Sequence, residues 1–302
     1  MPKPAIGYAG AGGGFMGIGP CRYASDIEKA TGKWMQDLFD FFTGTSVEAI
    51  DAGMYGCGFH AQDTLDLHHE HGAAIFGKRN RRYTYLKCGP QYDSAVIDAL
   101  LKEKCADRMM SETVKPLYLT AWDMRRKQLK VFGPKDKGVP VWFAIRCSMA
   151  ATTFFSTPDG RHGDGGFAAN DPLLVGFAGV VMDDSVDVSG GIKMLNMVTS
   201  GLNPEGPPVG NDWFILTYLK QIVLKAITTG NSADVEFIRQ AINAFVKKMG
   251  GGENRLLNFR VNPPCPDYQL DETQHAADVE SLWAECFKQD KDELLAYLVG
   301  TP

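Results

Sequence analysis

Hydrophobic positions along the chain fall into short blocks divided by glycine, proline and polar clusters, and the spacing changes from block to block. Ala5-Ile6-Gly7-Tyr8-Ala9 is a compact apolar run that predicts a first strand. Beyond a glycine cluster, residues to about 30 read as a helix closing at Gly32. A second, aromatic run stops at Gly44-Thr45, and Val47, Ala49, Ile50, Met54 and Tyr55 then follow helical spacing to about residues 56–58. A polar helix is expected over 61–71 and an amphipathic one over 93–110. Segments 117–121, 128–132 and 139–145 read as strands, with Pro140 suiting a strand start, and residues 148–151 open a short helical turn. Pro172 opens a helix to about 180, since proline suits a first helical position. Segment 191–198 is a further strand and 255–261 an edge strand. Between those two, a Pro- and Gly-rich loop or lid is expected at 203–210, then helices over 212–228 and from about 231 to 250. Residues 272–299 carry amphipathic helical spacing.

Strands alternating with helices imply an α/β fold: three α/β/α layers around a mostly parallel central sheet. No repeat or break in composition divides the chain, so 1–302 is expected to be one domain, mainly helical from about residue 203. With 44% hydrophobic residues, a sizeable core is available. The net charge of −5 offers no basic footprint for nucleic acid. Seven cysteines without a CxxC pair read as free thiols in a reducing compartment, not as a disulfide framework or zinc site. No secretory leader is visible, and no apolar stretch approaches the roughly 18 residues of a membrane span. The expected location is the cytoplasm.

Four stretches carry candidate chemistry. Gly12-Gly13-Gly14-Phe15-Met16-Gly17 follows a strand and precedes a helix. A P-loop would need Gly-Lys-Ser/Thr there. A dinucleotide site would need an acidic residue closing the next strand, which instead runs past Asp40 to Gly44-Thr45-Ser46. The third reading is an oxyanion hole built from backbone N–H groups. Ser46, on a strand-to-helix corner, is either a helix cap or a nucleophile whose hydroxyl is thrust out of the backbone. Asp164 sits among glycines in Gly163-Asp164-Gly165-Gly166, as a turn or as a carboxylate brought close to something. His68-His69-Glu70-His71 reads as a solvated helix end before it reads as a metal site, and His162 as a surface turn residue.

The order of these stretches resembles the patatin-like phospholipase family, whose acyl hydrolases use a serine–aspartate dyad. The resemblance covers nearly the whole chain. Residues 12–17 look like the oxyanion loop, 39–49 the nucleophile corner, 148–151 the small-residue segment ahead of the dyad, and Asp164-Gly165-Gly166 with Ala169-Asn170-Asp171-Pro172 the aspartate motif. Met194 to Gly201 resembles the late strand ending in a Thr/Ser-Gly turn. The resemblance implies Ser46 as nucleophile, Asp164 as base and the N–H groups of Gly12, Gly13 and Gly14 around the oxyanion. It implies a phospholipid or other lipid-ester substrate, transient membrane-surface contact, and neither cofactor nor metal. An activator or a homo-oligomer is compatible with it. Met16 stands where the family usually has Arg or Lys, Ala11 where it often has Asp, and Glu48 where it normally has glycine. A glutamate there is expected to crowd the helix start and to place negative charge by the oxyanion. A loss of ~3 kcal/mol would follow, giving a slow or regulated enzyme. A non-catalytic protein of the same fold, binding acyl chains or a protein partner, is the alternative. A nicotinamide-dependent oxidoreductase is the weakest reading.

Overall fold

The computed structural model describes residues 2–77, 79–80, 89–151, 153–199, 235, 238–244, 246–247, 256–266 and 268–300. The expected loop at 203–210, the helix at 212–228 and much of the one after it lie outside the described residues. Seven strands form one sheet: β1 (Ala5–Gly10), β2 (Phe41–Gly44), β3 (Leu117–Asp123), β4 (Gln128–Phe132), β5 (His162–Asp164), β6 (Ile192–Met197) and β7 (Leu256–Val261). Their order is β4-β3-β2-β1-β6-β7, with β5 also paired to β3. Strands β3, β2, β1, β6 and β7 run parallel, while β4 and β5 pair antiparallel to β3. The sheet is mixed, mostly parallel and flanked by helices, as the alternating pattern implies.

Period-two alternation sends successive side chains to opposite faces. Tyr8 and Phe42 enter a large core with α1 (Ile18–Thr31), α3 (Val47–Gly56), α4 (Ala61–Ile75) and α9 (Ala276–Val299). Ala9 and Phe41 enter a smaller one beneath α8 (Leu173–Val181), with Tyr118, Leu173 and Val180. Tyr8 stands edge-on to Tyr55 of α3, ring centroids 5.6 Å apart, and so locks that helix to β1. Burying aromatics of this size is worth about 2–3 kcal/mol each. Gly32 closes α1 in the left-handed conformation, φ 64°. Other α-helices among the described residues are α2 (Met35–Leu38), α5 (Ala95–Cys105), α6 (Val141–Ser148) and α7 (Gly166–Ala169).

Three expectations are corrected here. The run 139–145 is not a strand: from Val141 onward it is helical, in α6. Its β-branched and aromatic residues form a wholly apolar block, a pattern that does not separate a buried helix from a buried strand. Pro140 precedes the helix, where its missing N–H costs nothing, and its carbonyl accepts the N–H groups of Phe143 and Ala144. Ser148 therefore ends this helix and does not open a turn. Helix α4 continues to Ile75, past the expected end at His71.

Candidate active site

Strand β3 brings two distant stretches together. On one edge it pairs first with β2, Gly44 opposite Leu119, and then with β5, Asp164 opposite Ala121. Strand β5 thus continues the line of β2 from the opposite direction, and the chain leaving β2 must turn away. It does so at Ser46, whose φ of 57° and ψ of −124° make it one of few non-glycine residues here with positive φ. Such a conformation costs of order 1–3 kcal/mol and persists only when neighbours enforce it. Ser46 N–H donates to Ser148 Oγ at 2.9 Å. Thr45 donates its N–H to the Gly10 carbonyl at 3.1 Å and its hydroxyl to the Ala169 carbonyl at 2.7 Å.

The result is a direct contact. Ser46 Oγ donates to Asp164 Oδ2 at 2.7 Å. Asp164 Oδ1 accepts Gly166 N–H at 2.7 Å, which fixes the plane of the carboxyl group. Asp164 is buried. Removal from water raises its pKa to about 6, against the opposing hydrogen bonds from Gly166 and Ser46. A carboxylate with a pKa near 6 is a stronger base than a free aspartate, and at neutral pH it is still mostly ionised.

The glycine loop lies against this pair. A Cβ on Gly12 would sit 2.9 Å from Ser46 Cβ, and one on Gly13 would sit 2.1 Å from Thr199 Oγ1. Gly14 has φ 60°, the left-handed region that favours glycine. Of the three expected oxyanion donors, Gly12 is engaged elsewhere: its N–H donates to the Asn170 carbonyl at 3.1 Å. Its own carbonyl accepts from Asn170 Nδ2 at 3.2 Å and Thr199 Oγ1 at 2.9 Å, so Gly12 anchors the loop. Gly13 and Gly14 line the cavity with Ser46. Val47, the first residue of α3, adds an N–H with no acceptor inside the helix.

Ser46, Asp164 and these glycines form one wall of a cavity of about 440 Å³. Its other walls are largely apolar, with Ile50, Leu67, Ile75, Phe76, Phe154 and Phe155 among them. Such a chamber suits a hydrocarbon chain whose polar end meets a few fixed hydrogen-bonding groups.

Glu48 does not behave as its sequence position implied. Its side chain is wholly buried and runs behind the corner, where Tyr8 Oη donates to Oε2 at 2.8 Å. The room comes from Gly10, where a Cβ would lie 2.2 Å from that same oxygen. Burial, and next the neighbouring Asp51, push its pKa well above the ordinary glutamate value, which disfavours the feared negative charge. His68 is likewise no part of a solvated end, because it lies on the inward stripe of α4 and meets Asp51 Oδ1 at 2.9 Å. His162 is a buried strand residue held by Asp159, Nδ1 to Oδ2 at 2.7 Å. Residue types alone did not single out Ser148, Asn170, Thr45 or Thr199 as supports, though all stand in or beside the motifs.

No family model matches the chain. It is 27% identical over 320 residues to the 85/88 kDa calcium-independent phospholipase A2 of Rattus norvegicus, covering 90% of this chain and 37% of that protein. It is 25% identical over 217 residues to patatin-like protein 2 of Oryza sativa subsp. indica, covering 58% of this chain and 54% of that one. The chain therefore spans little more than a third of one relative and about half of the other. Among solved structures, ExoU of Pseudomonas aeruginosa in complex with SpcU resembles it at a TM-score of 0.45 and 13% identity, over 95% of this chain and 53% of that one. A likeness that low carries no weight for the site.

Proposed function

We propose, from the premise that this chain is a relative of the patatin-like phospholipases, that it hydrolyses carboxylic esters of phospholipid or another lipid through Ser46 and Asp164. The observation that carries the reading is the 2.7 Å hydrogen bond from Ser46 Oγ to Asp164 Oδ2 on the wall of an apolar chamber. Ser46 Oγ attacks the ester carbonyl while its proton passes to Asp164. The carbonyl electron pair moves onto oxygen, and the N–H groups of Gly13 and Gly14, with Val47 beside them, hold the oxyanion. The tetrahedral adduct collapses, the alcohol leaves with the proton from Asp164, and the acyl group stays on Ser46. Water then attacks the acyl-enzyme, giving its proton to Asp164. The fatty acid departs and the proton returns to Ser46. Phe167, 42% exposed yet part of the chamber lining, supports contact with a membrane surface at the mouth.

The test is release of fatty acid from phosphatidylcholine vesicles and from a chromogenic long-chain ester. Wild-type protein is expected to release acid, and Ser46→Ala and Asp164→Ala each to abolish it. Acyl-chain binding without release, unchanged by either substitution, would instead support the non-catalytic alternative.

A further inference from the structure

On the side of α3 facing away from the dyad lies a second group of capable side chains that ester hydrolysis leaves unused. Cys21 on α1, Asp51 on α3 and His68 on α4 bring a thiol, a carboxyl and an imidazole together, with ligand atoms all within 4.8 Å of one another. Cys21 and Asp51 are wholly buried, and His68 is nearly so, its ring reaching the chamber wall. Glu48, one turn before Asp51, is also wholly buried and faces it. Two oxygens here, Glu48 Oε1 and Asp51 Oδ2, have no donor among the described residues. A buried polar atom without a partner costs ~1–3 kcal/mol, and a charged one more. A positive centre beside them would satisfy that need. A proton shared by the two carboxyl groups would satisfy them, but it makes no use of the thiol and imidazole beside them.

We propose that Cys21, Asp51 and His68 form a zinc site. Zinc takes sulfur, imidazole nitrogen and carboxylate oxygen in a tetrahedron, whose edges at usual bond lengths are about 3.3–3.6 Å. The 2.9 Å contact between His68 Nε2 and Asp51 Oδ1 and the 4.8 Å limit on the triangle bracket those edges. A thiolate in the set favours zinc over magnesium or calcium. A dication with one thiolate, one carboxylate and a neutral imidazole carries no net charge, which suits a site closed to water. With one ligand from each of α1, α3 and α4, the ion would tie the three helices together. Cys147, Asp159 and His162 form a similar triangle. There, however, both Asp159 oxygens already accept hydrogen bonds, from His162 and Arg161, and no orphan remains to call for an ion.

The experiment reads metal, not hydrolysis. Protein purified with Zn2+ present and then desalted should retain one zinc per chain by mass spectrometry of the elements. Loading with Co2+ should give a thiolate-to-cobalt charge-transfer band. Cys21→Ser should abolish that band, and His68→Gln should weaken Zn2+ binding at least tenfold, while Cys147→Ser leaves both intact. Should Cys21→Ser fail to fold by circular dichroism, His68→Gln and the wild-type cobalt spectrum decide. Wild-type retention no greater than that of His68→Gln, or a cobalt spectrum without a thiolate band, overturns the site and leaves a shared proton between Glu48 and Asp51.

Discussion

Asp164 and Glu48 are both carboxyl groups withdrawn from water beside the start of α3, yet their surroundings drive them apart. Asp164 accepts two hydrogen bonds, from Ser46 and Gly166, and has no acid beside it among the causes that set its pKa, so burial lifts it only to about 6. Glu48 accepts one, from Tyr8, and faces Asp51, so burial and a like-charged neighbour act in the same direction and lift it much further. Burial alone does not make a base. What matters is how many donors are aimed at the charged form and whether another acid competes with it. The front of α3 thereby keeps a carboxyl group hydrogen-bonded to Ser46 with a pKa of about 6, while the back keeps one whose charged form burial and Asp51 disfavour.

This contrast can be broken most forcefully at the front. Asp164→Asn preserves shape and removes the proposed base. Fatty acid release should fall at least ~10³-fold, within the usual range for losing a positioned general base, as steady-state assays on folded protein would read. Gly13→Ala comes next. The added methyl would press on Thr199 and displace the loop, and turnover should fall ~100-fold, the scale of losing an oxyanion donor.

The pH profile should show a smaller change that sharpens the comparison. The proposed mechanism needs Asp164 ionised, so kcat/KM should rise with pH through about 6 and level off above it. Between pH 7 and pH 5 the ionised share falls about tenfold, and the rate should follow. A profile flat from pH 5 to 8 would contradict the assignment. The smallest effect on activity is expected at the back. Glu48→Gly should leave turnover near the wild-type value, opposite to the gain that the family pattern implies. It should lower thermal stability by a few degrees, because Tyr8 loses its partner and the space beside Gly10 empties. A clear rise in turnover would show that the carboxyl does act on the oxyanion.

Much of this was legible in the residues. Apolar runs and helical spacing located most elements, because strands β1 and β2 and helices α1 and α3 are hydrophobic blocks closed by glycine. The apolar block at 139–145 misled because a buried helix and a buried strand share a pattern, and only the sheet around it decides. The Ser46 and Asp164 stretches could be recognised singly. Their meeting depends on β3 pairing both β2 and β5 along one edge, which is a property of the sheet and not of either motif. The direction taken by Glu48 was hidden for a similar reason. A side chain's direction depends on the space opposite it, here left by Gly10 on another strand. Gly12 illustrates the same limit, since a glycine-rich loop declares that N–H groups can be presented but not which are already bonded.

The central claim, that Asp164 activates Ser46, is tested most directly by covalent labelling with a fluorophosphonate and peptide mapping by mass spectrometry. The account predicts a single adduct on Ser46 in the wild-type protein, formed at least a hundredfold more slowly in Asp164→Asn. No adduct on Ser46, or labelling at the same rate in the variant, would contradict it.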